Sequence, residues 1–192
     1  MEAKQETKHR EWLKEGGVEH PTHLETLQNL EQQARINWLK QHCLGVKEIL
    51  DIGCNWGYIL NEINGLTGVD INPENLDLAI HKFPHLYFLQ GDITKGLPFM
   101  NDHYAIVVMA ELLEHLEWGD VGKSIREGLR IARHKLLITL PWRRTEDCAL
   151  CFKHKWIPNE ERIGLILTKL MLLAKRVNIE CDGNFVYIEV LK

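Results

Sequence analysis

Apolar residues run along this chain in two alternating rhythms. Glu48 to Ile52, Thr67 to Val69, Leu86 to Leu89, Tyr104 to Ala110 and Lys135 to Leu140 are short, compact runs, most of them carrying β-branched residues, as buried strands do. Between them apolar residues recur at helical spacing: Tyr58, Ile59 and Ile63, then Leu76, Ala79, Ile80 and Phe83, then Val121, Ile125, Leu129 and Ala132. Asn72-Pro73-Glu74 is a helix start, with a capping side chain, a proline in the first turn and an acid beside the dipole. Ahead of the first strand, Thr22-His23-Leu24-Glu25 is a capping box. It predicts a helix with Leu24, Leu27, Ala34 and Trp38 on its apolar face, ending near Cys43 at Gly45. After the fifth strand come a leucine-rich helix over Pro158 to Lys175 and two strands, Val177 to Cys181 and Phe185 to Leu191. Asp182-Gly183-Asn184 joins those two as a hairpin. Strands that alternate with helices predict a mainly parallel sheet with helices on both faces.

The first strand runs into Asp51-Ile52-Gly53-Cys54-Asn55-Trp56-Gly57, and a helix begins directly afterwards. A strand, a glycine turn and a helix N-terminus make a cradle for a nucleotide-like ligand, because the backbone comes close and its N–H groups point outward. The spacing is not G-x-G-x-x-G, and no Lys-Ser or Lys-Thr follows as in a P-loop. Asp51 suits a ligand carrying positive charge at the turn. Asp70 ends the second strand, where a βαβ unit places a carboxylate on ribose hydroxyls.

With these residues the chain resembles the class I S-adenosylmethionine (SAM)-dependent methyltransferases, whose first motif is D/E-x-G-x-G-x-G. Asp51, Gly53 and Gly57 match it, and Asn55 replaces the middle glycine, a residue that tolerates left-handed backbone. The resemblance implies an α/β fold: a seven-stranded, mainly parallel, Rossmann-like sheet with helices on both faces and a C-terminal antiparallel hairpin. It implies SAM as cofactor, held by Asp51, Gly53, Cys54, Asn55, Gly57, Asp70, Ile71, Asp92, Ile93 and Met109, with Asp92 beside the adenine amino group. It places the methyltransferase domain at residues 45–192. Residues 1–44 are then an N-terminal arm and helix, which such enzymes often use as a lid; a loosely docked terminus is the other reading.

The SAM methyl group is already activated, so the protein mainly aligns donor and acceptor and removes the proton of a hydroxyl acceptor. Glu111, Glu114 and His115 follow the fourth strand and are the available bases; a polar turn is the alternative. Glu111-x-x-Glu114-His115 with the later His154 is similar to the metal set of the small-RNA 3′-terminal 2′-O-methyltransferases, and a like turn occurs in the O-methyltransferases of ubiquinone biosynthesis. That similarity implies a divalent metal ion on Glu111, Glu114, His115 and His154, and an acceptor that is a small molecule or an RNA 3′-terminal ribose. Pro141 to Ile157 carries +2 against −6 elsewhere, within a total of −4, and interleaves Trp142, Phe152 and Trp156 with Arg143, Arg144, Lys153 and Lys155. Such a segment suits a single-stranded nucleic-acid end, a phosphorylated or carboxylated aromatic molecule, or a solvated loop with its aromatics tucked inward. Cys148-x-x-Cys151-x-x-His154 lacks a fourth zinc ligand and reads as free thiols. Beside the enzyme stands a non-catalytic alternative, a SAM-binding partner subunit supporting another methyltransferase.

Composition narrows the rest. At 192 residues, 45% hydrophobic and 26% charged, the chain is expected to hold one domain with a sizeable core. A net charge of −4 argues against a globally basic DNA binder. Five cysteines, an odd number, without a signal-peptide pattern point to the cytoplasm, and no apolar run is long enough for a membrane span. The oligomeric state is left open.

Overall fold

The computed structural model describes residues 30–142 and 154–192. The chain runs α1 (Leu30–Cys43), β1 (Ile49–Ile52), α2 (Tyr58–Glu62), β2 (Thr67–Asp70), α3 (Pro73–Lys82), β3 (Tyr87–Gln90), β4 (Tyr104–Ala110), α4 (Trp118–Ile131), β5 (Ala132–Pro141), α5 (Glu160–Leu173), β6 (Arg176–Cys181) and β7 (Phe185–Leu191). Short 3₁₀ turns at Ile93–Lys95 and Leu113–His115 follow β3 and β4. The strands form one sheet in the order β3-β2-β1-β4-β5-β7-β6. The five from β3 to β5 pair in parallel, and β7 pairs antiparallel with both β5 and β6. This is the fold class expected. Asp182 closes the hairpin, its Oδ1 accepting from the N–H groups of Asn184 at 2.9 Å and Phe185 at 2.8 Å.

Alternation sets the two layers. Leu50, Ile52, Val69, Val107, Met109, Leu136 and Ile138 share a core with Val121, Ile125 and Leu129 of α4 and Ile163, Ile166 and Leu170 of α5. Ile49, Ile106, Val108 and Leu137 turn to the other face and pack with Trp38, Leu39 and Cys43 of α1. Both faces of β4 are therefore covered, so all its residues are buried and its sequence reads as a continuous apolar run. Each fully enclosed Leu, Ile or Val here contributes roughly 1.5–3 kcal/mol of burial.

Four expectations shift. The apolar face of α1 keeps the expected Trp38 but not Ala34, which is exposed: Arg35, Ile36, Leu39 and Cys43 are buried beside Trp38. The reason is a charged residue, Arg35, that belongs inside. The second helix is only five residues long, because it begins at Tyr58 after the left-handed Gly57 and ends at Ile63. Ile80, expected on the buried face of α3, is 51% exposed, since Leu76 and Ala79 make that contact alone. β5 starts at Ala132 directly from α4, earlier than the expected Lys135. The capping box at Thr22 lies outside the described residues. Among those described, no helix is long and apolar enough to cross a membrane.

Candidate functional site

The strand order reverses at β1, whose neighbours are β2 and β4, and ligands in such sheets bind outside the carboxyl ends of the strands there. The turn leaving β1 is built for close approach. Gly53 (φ 79°), Asn55 (φ 49°) and Gly57 (φ 78°) are all left-handed. A Cβ added to Gly53 would lie 2.9 Å from Leu112 Cδ1, and one on Gly57 would lie 2.8 Å from Phe88 Cζ. The N–H groups of Gly53 and Cys54 both donate to the Val69 carbonyl, at 2.7 and 3.0 Å, locking the turn onto β2.

Asp70 completes that lock. Its Oδ2 accepts from Asn55 N–H at 2.8 Å and its Oδ1 from Asn72 N–H at 2.9 Å. Trp56 Nε1 donates to Asn75 Oδ1 at 3.1 Å, tying the turn to α3 as well. Asp51 is 2% exposed, and its Oδ2 has no hydrogen-bond partner among the described residues. Burial pushes its pKa up to about 7, the neighbouring Asp70 adds to the rise, and Arg35 opposes it. Asp92 caps the turn after β3, accepting from Thr94 N–H at 3.0 Å and Thr94 Oγ1 at 2.7 Å. Thr94 and Lys95 hold its pKa below the usual carboxylate range.

Asp51, Gly53, Asn55, Gly57 and Asp70 thus meet in one turn. Cys54, Ile93 and Met109 do not present side chains to it; all three are buried. Ile93 and Met109 join the core with α4, because the alternation at each strand end sends them into the sheet layer. Cys54 Sγ lies against Gly68, where an added Cβ would meet it at 2.7 Å. Ile71 points outward and is 62% exposed. Three carboxylates stand at these strand ends, while the cations beside them, Arg35 and Lys95, are each paired with a carboxylate. Such a donor set fits a nucleoside bearing positive charge, as SAM does, and does not fit a string of phosphates.

A second cluster follows β4. Glu111 is left-handed (φ 51°), and its N–H donates to the Thr139 carbonyl at 3.0 Å. Its Oε1 forms an ion pair with Arg35 Nη1 at 3.0 Å. Glu114 is wholly buried, with neither carboxylate oxygen hydrogen-bonded among the described residues. Burial, then the charge of Glu111, raise its pKa well above the ordinary value. Glu114, His115 and His154 each offer a ligand atom within 4.8 Å of the others. The two imidazole rings meet edge to face at 4.8 Å. The returning segment is pinned by Lys155 N–H to the Glu114 carbonyl at 2.7 Å and by Trp156 Nε1 to the Leu113 carbonyl at 3.0 Å.

Three of the four expected metal ligands therefore come together, and Glu111 turns to Arg35 instead. Sequence reading missed Arg35; its signal was a charge between Ala34 and Ile36 on an otherwise apolar stripe. Arg143, Arg144, Cys148, Cys151, Phe152 and Lys153 lie outside the described residues.

Residues 49–135 match the family model described as a methyltransferase domain. No curated protein matches the sequence. A SAM-dependent methyltransferase from Archaeoglobus fulgidus superimposes with a TM-score of 0.69 at 18% identity, over 88% of this chain and 97% of that one. Magnesium protoporphyrin IX methyltransferase from Synechocystis PCC 6803, solved with bound S-adenosylhomocysteine (SAH), gives 0.66 at 15% identity, over 97% and 94%. The [4+2]-cyclase SpnF gives 0.63 at 18% identity, over 77% of this chain and 58% of that one, so the same fold also carries other chemistry. Over residues 49–135 the chain matches a methyltransferase domain, and its fold is the one shared by the SAM-dependent methyltransferases on which it superimposes.

Proposed function

We propose that this methyltransferase acts on a hydroxyl oxygen brought to the carboxyl end of β4, with His115 as the base. The observation that carries this reading is the cluster of Glu114, His115 and His154, with an enclosed carboxyl beneath two imidazoles. SAM supplies a methyl group on a sulfonium, a leaving arrangement that needs no further activation. His115 is exposed and can meet an acceptor directly. It takes the hydroxyl proton as the oxygen–carbon bond forms and the carbon–sulfur bond breaks; SAH leaves and the proton passes to water. Trp118 and Trp156, 5.0 Å apart, and Arg162, 4.3 Å over the Trp118 ring, stand beside this turn. Aromatic faces with cations favour a flat or anionic acceptor, either a small hydroxylated molecule or an RNA 3′-terminal ribose.

A second reading, a divalent cation on Glu114, His115 and His154, is favoured by the two oxygens of Glu114, which have no hydrogen-bond partner among the described residues. One carboxylate with two imidazoles suits manganese, iron or cobalt better than magnesium, and such an ion would orient a vicinal diol and lower the pKa of its hydroxyl. The test uses methyl-labelled SAM with a phenol, a catechol and an oligoribonucleotide ending in a 2′,3′-diol, with and without EDTA and manganese. Labelled ether is expected, and His115→Ala should lower its rate by ~10²–10⁴-fold. Full transfer in EDTA, with no metal in the protein, removes the cation and leaves His115 as base. SAH binding with no transfer to any acceptor or cell extract would instead make the chain a supporting partner of another methyltransferase.

A further inference from the structure

We propose that Arg35 is a positioning residue: by pairing with Glu111 it fixes how the chain leaves β4, and so aims Glu114 and His115. The proposal rests on the reading of Glu114 and His115 given above. Arg35 is 6% exposed on a stripe of α1 otherwise made of Ile36, Trp38, Leu39 and Cys43. A guanidinium in that position is strongly unfavourable unless paired. Its ion-pair partner among the described residues is Glu111, at 3.0 Å, and its guanidinium also lies 5.5 Å from the Phe185 ring centre.

Glu111 is the residue in this stretch that needs holding. Its left-handed backbone is unfavourable for a residue with a side chain, and such conformations persist only where the surroundings over-determine them. Here two anchors pull from different elements. The backbone N–H is fixed to Thr139 of β5, and the side chain to Arg35 of α1. The direction of the next four residues depends on that bend. Leu112 lies over Gly53, where an added Cβ would meet its Cδ1 at 2.9 Å, so the bend also shapes the cofactor turn. His115 N–H then donates to the Leu112 carbonyl at 3.1 Å, closing the 3₁₀ turn that carries Glu114 and His115. A side chain outside the reacting groups thus sets the direction of both.

The test uses the full chain with ¹⁵N-labelled histidine and the variants Arg35→Gln, Arg35→Lys, Glu111→Gln and the double variant Arg35→Gln/Glu111→Gln. His115→Ala assigns the ring signals. Arg35→Gln should move or broaden the His115 ring resonances, and Glu111→Gln should do the same. The double variant should change them no more than either single one, the signature of one shared contact. Arg35→Lys should restore part of the wild-type pattern. Because the bend also reaches the cofactor turn, any change in SAH affinity by calorimetry should be no larger in the double variant than in either single one. Should Arg35→Gln not fold, Glu111→Gln and Arg35→Lys carry the test. His115 signals unchanged in Glu111→Gln or in Arg35→Gln overturn the proposal. So does a loss of SAH affinity of about tenfold or more for Arg35→Gln in both backgrounds, which would make Arg35 a cofactor contact. Absence of methyl transfer from the wild-type chain strikes the proposed function and leaves this coupling measurable.

Discussion

A carboxyl group enclosed as Asp51 is keeps its proton up to about pH 7, whereas the unfolded chain gives it up near pH 4. Between those values the folded state binds more protons than the unfolded one, so the stability from this group is complete at low pH and lost as pH rises through about 7. Glu114 is shifted in the same direction. Without cofactor, the denaturant midpoint should therefore decline between pH 5 and pH 8, and Asp51→Asn should remove part of that decline. A positively charged ligand beside Asp51 favours its ionised form, so binding of SAM, which carries a sulfonium, near neutral pH should release protons, seen as a heat that differs between buffers. A midpoint independent of pH in both proteins would contradict this. At this scale the sequence was informative where backbone geometry restricts the residue type. Gly53, Asn55 and Gly57 are the residues that left-handed turns accept, and they could be read directly. Arg35 could not be placed: a charge is assigned to solvent unless its partner is seen, and Glu111 is distant in sequence and near only in the fold.

The turn between β1 and α2 is the proposed cofactor seat, and its glycines differ from Gly164. Gly57→Ala adds a Cβ at positive φ, 2.8 Å from Phe88, and should lower stability by roughly 2–4 kcal/mol and abolish SAH binding. Gly164, inside α5, has nothing among the described residues within 4 Å of an added Cβ, and Gly164→Ala should raise stability by ~0.5–1 kcal/mol. Chemical denaturation of the two variants checks both signs; equal effects would mean the turn is not strained. Strand β4 was legible residue for residue, because burial on both faces leaves one unbroken apolar run. The cap of α3 was legible too, with Asn72 Oδ1 accepting from Glu74 N–H at 2.9 Å. Less legible was α2, since periodicity over so few residues cannot fix where a helix stops. The face of α1 was misread for the same physical reason as Arg35.

For the molecule as a whole, alternating strands and helices were enough to give the parallel core, and Asp182-Gly183-Asn184 gave the hairpin that turns β6 back onto β7. The order of the strands is a long-range property, and no local pattern in the sequence carries it. His154 is the instructive case for the site. Its approach to Glu114 and His115 depends on where the chain returns after β5, which Lys155 and Trp156 fix by bonding to the backbone of the 3₁₀ turn. The acceptor stayed illegible, because aromatic and basic residues serve an RNA end and a small anionic molecule equally well.

The turn after β1 is expected to seat SAM, and calorimetric titration with SAH checks this. Wild-type protein should bind one SAH and give no heat with NAD or ATP. Asp70→Ala, which leaves the Asn55 and Asn72 N–H groups without their carboxylate, should weaken binding by about 1.5–3 kcal/mol. Tight binding of NAD, or no binding of SAH by the folded wild-type chain, would contradict the account.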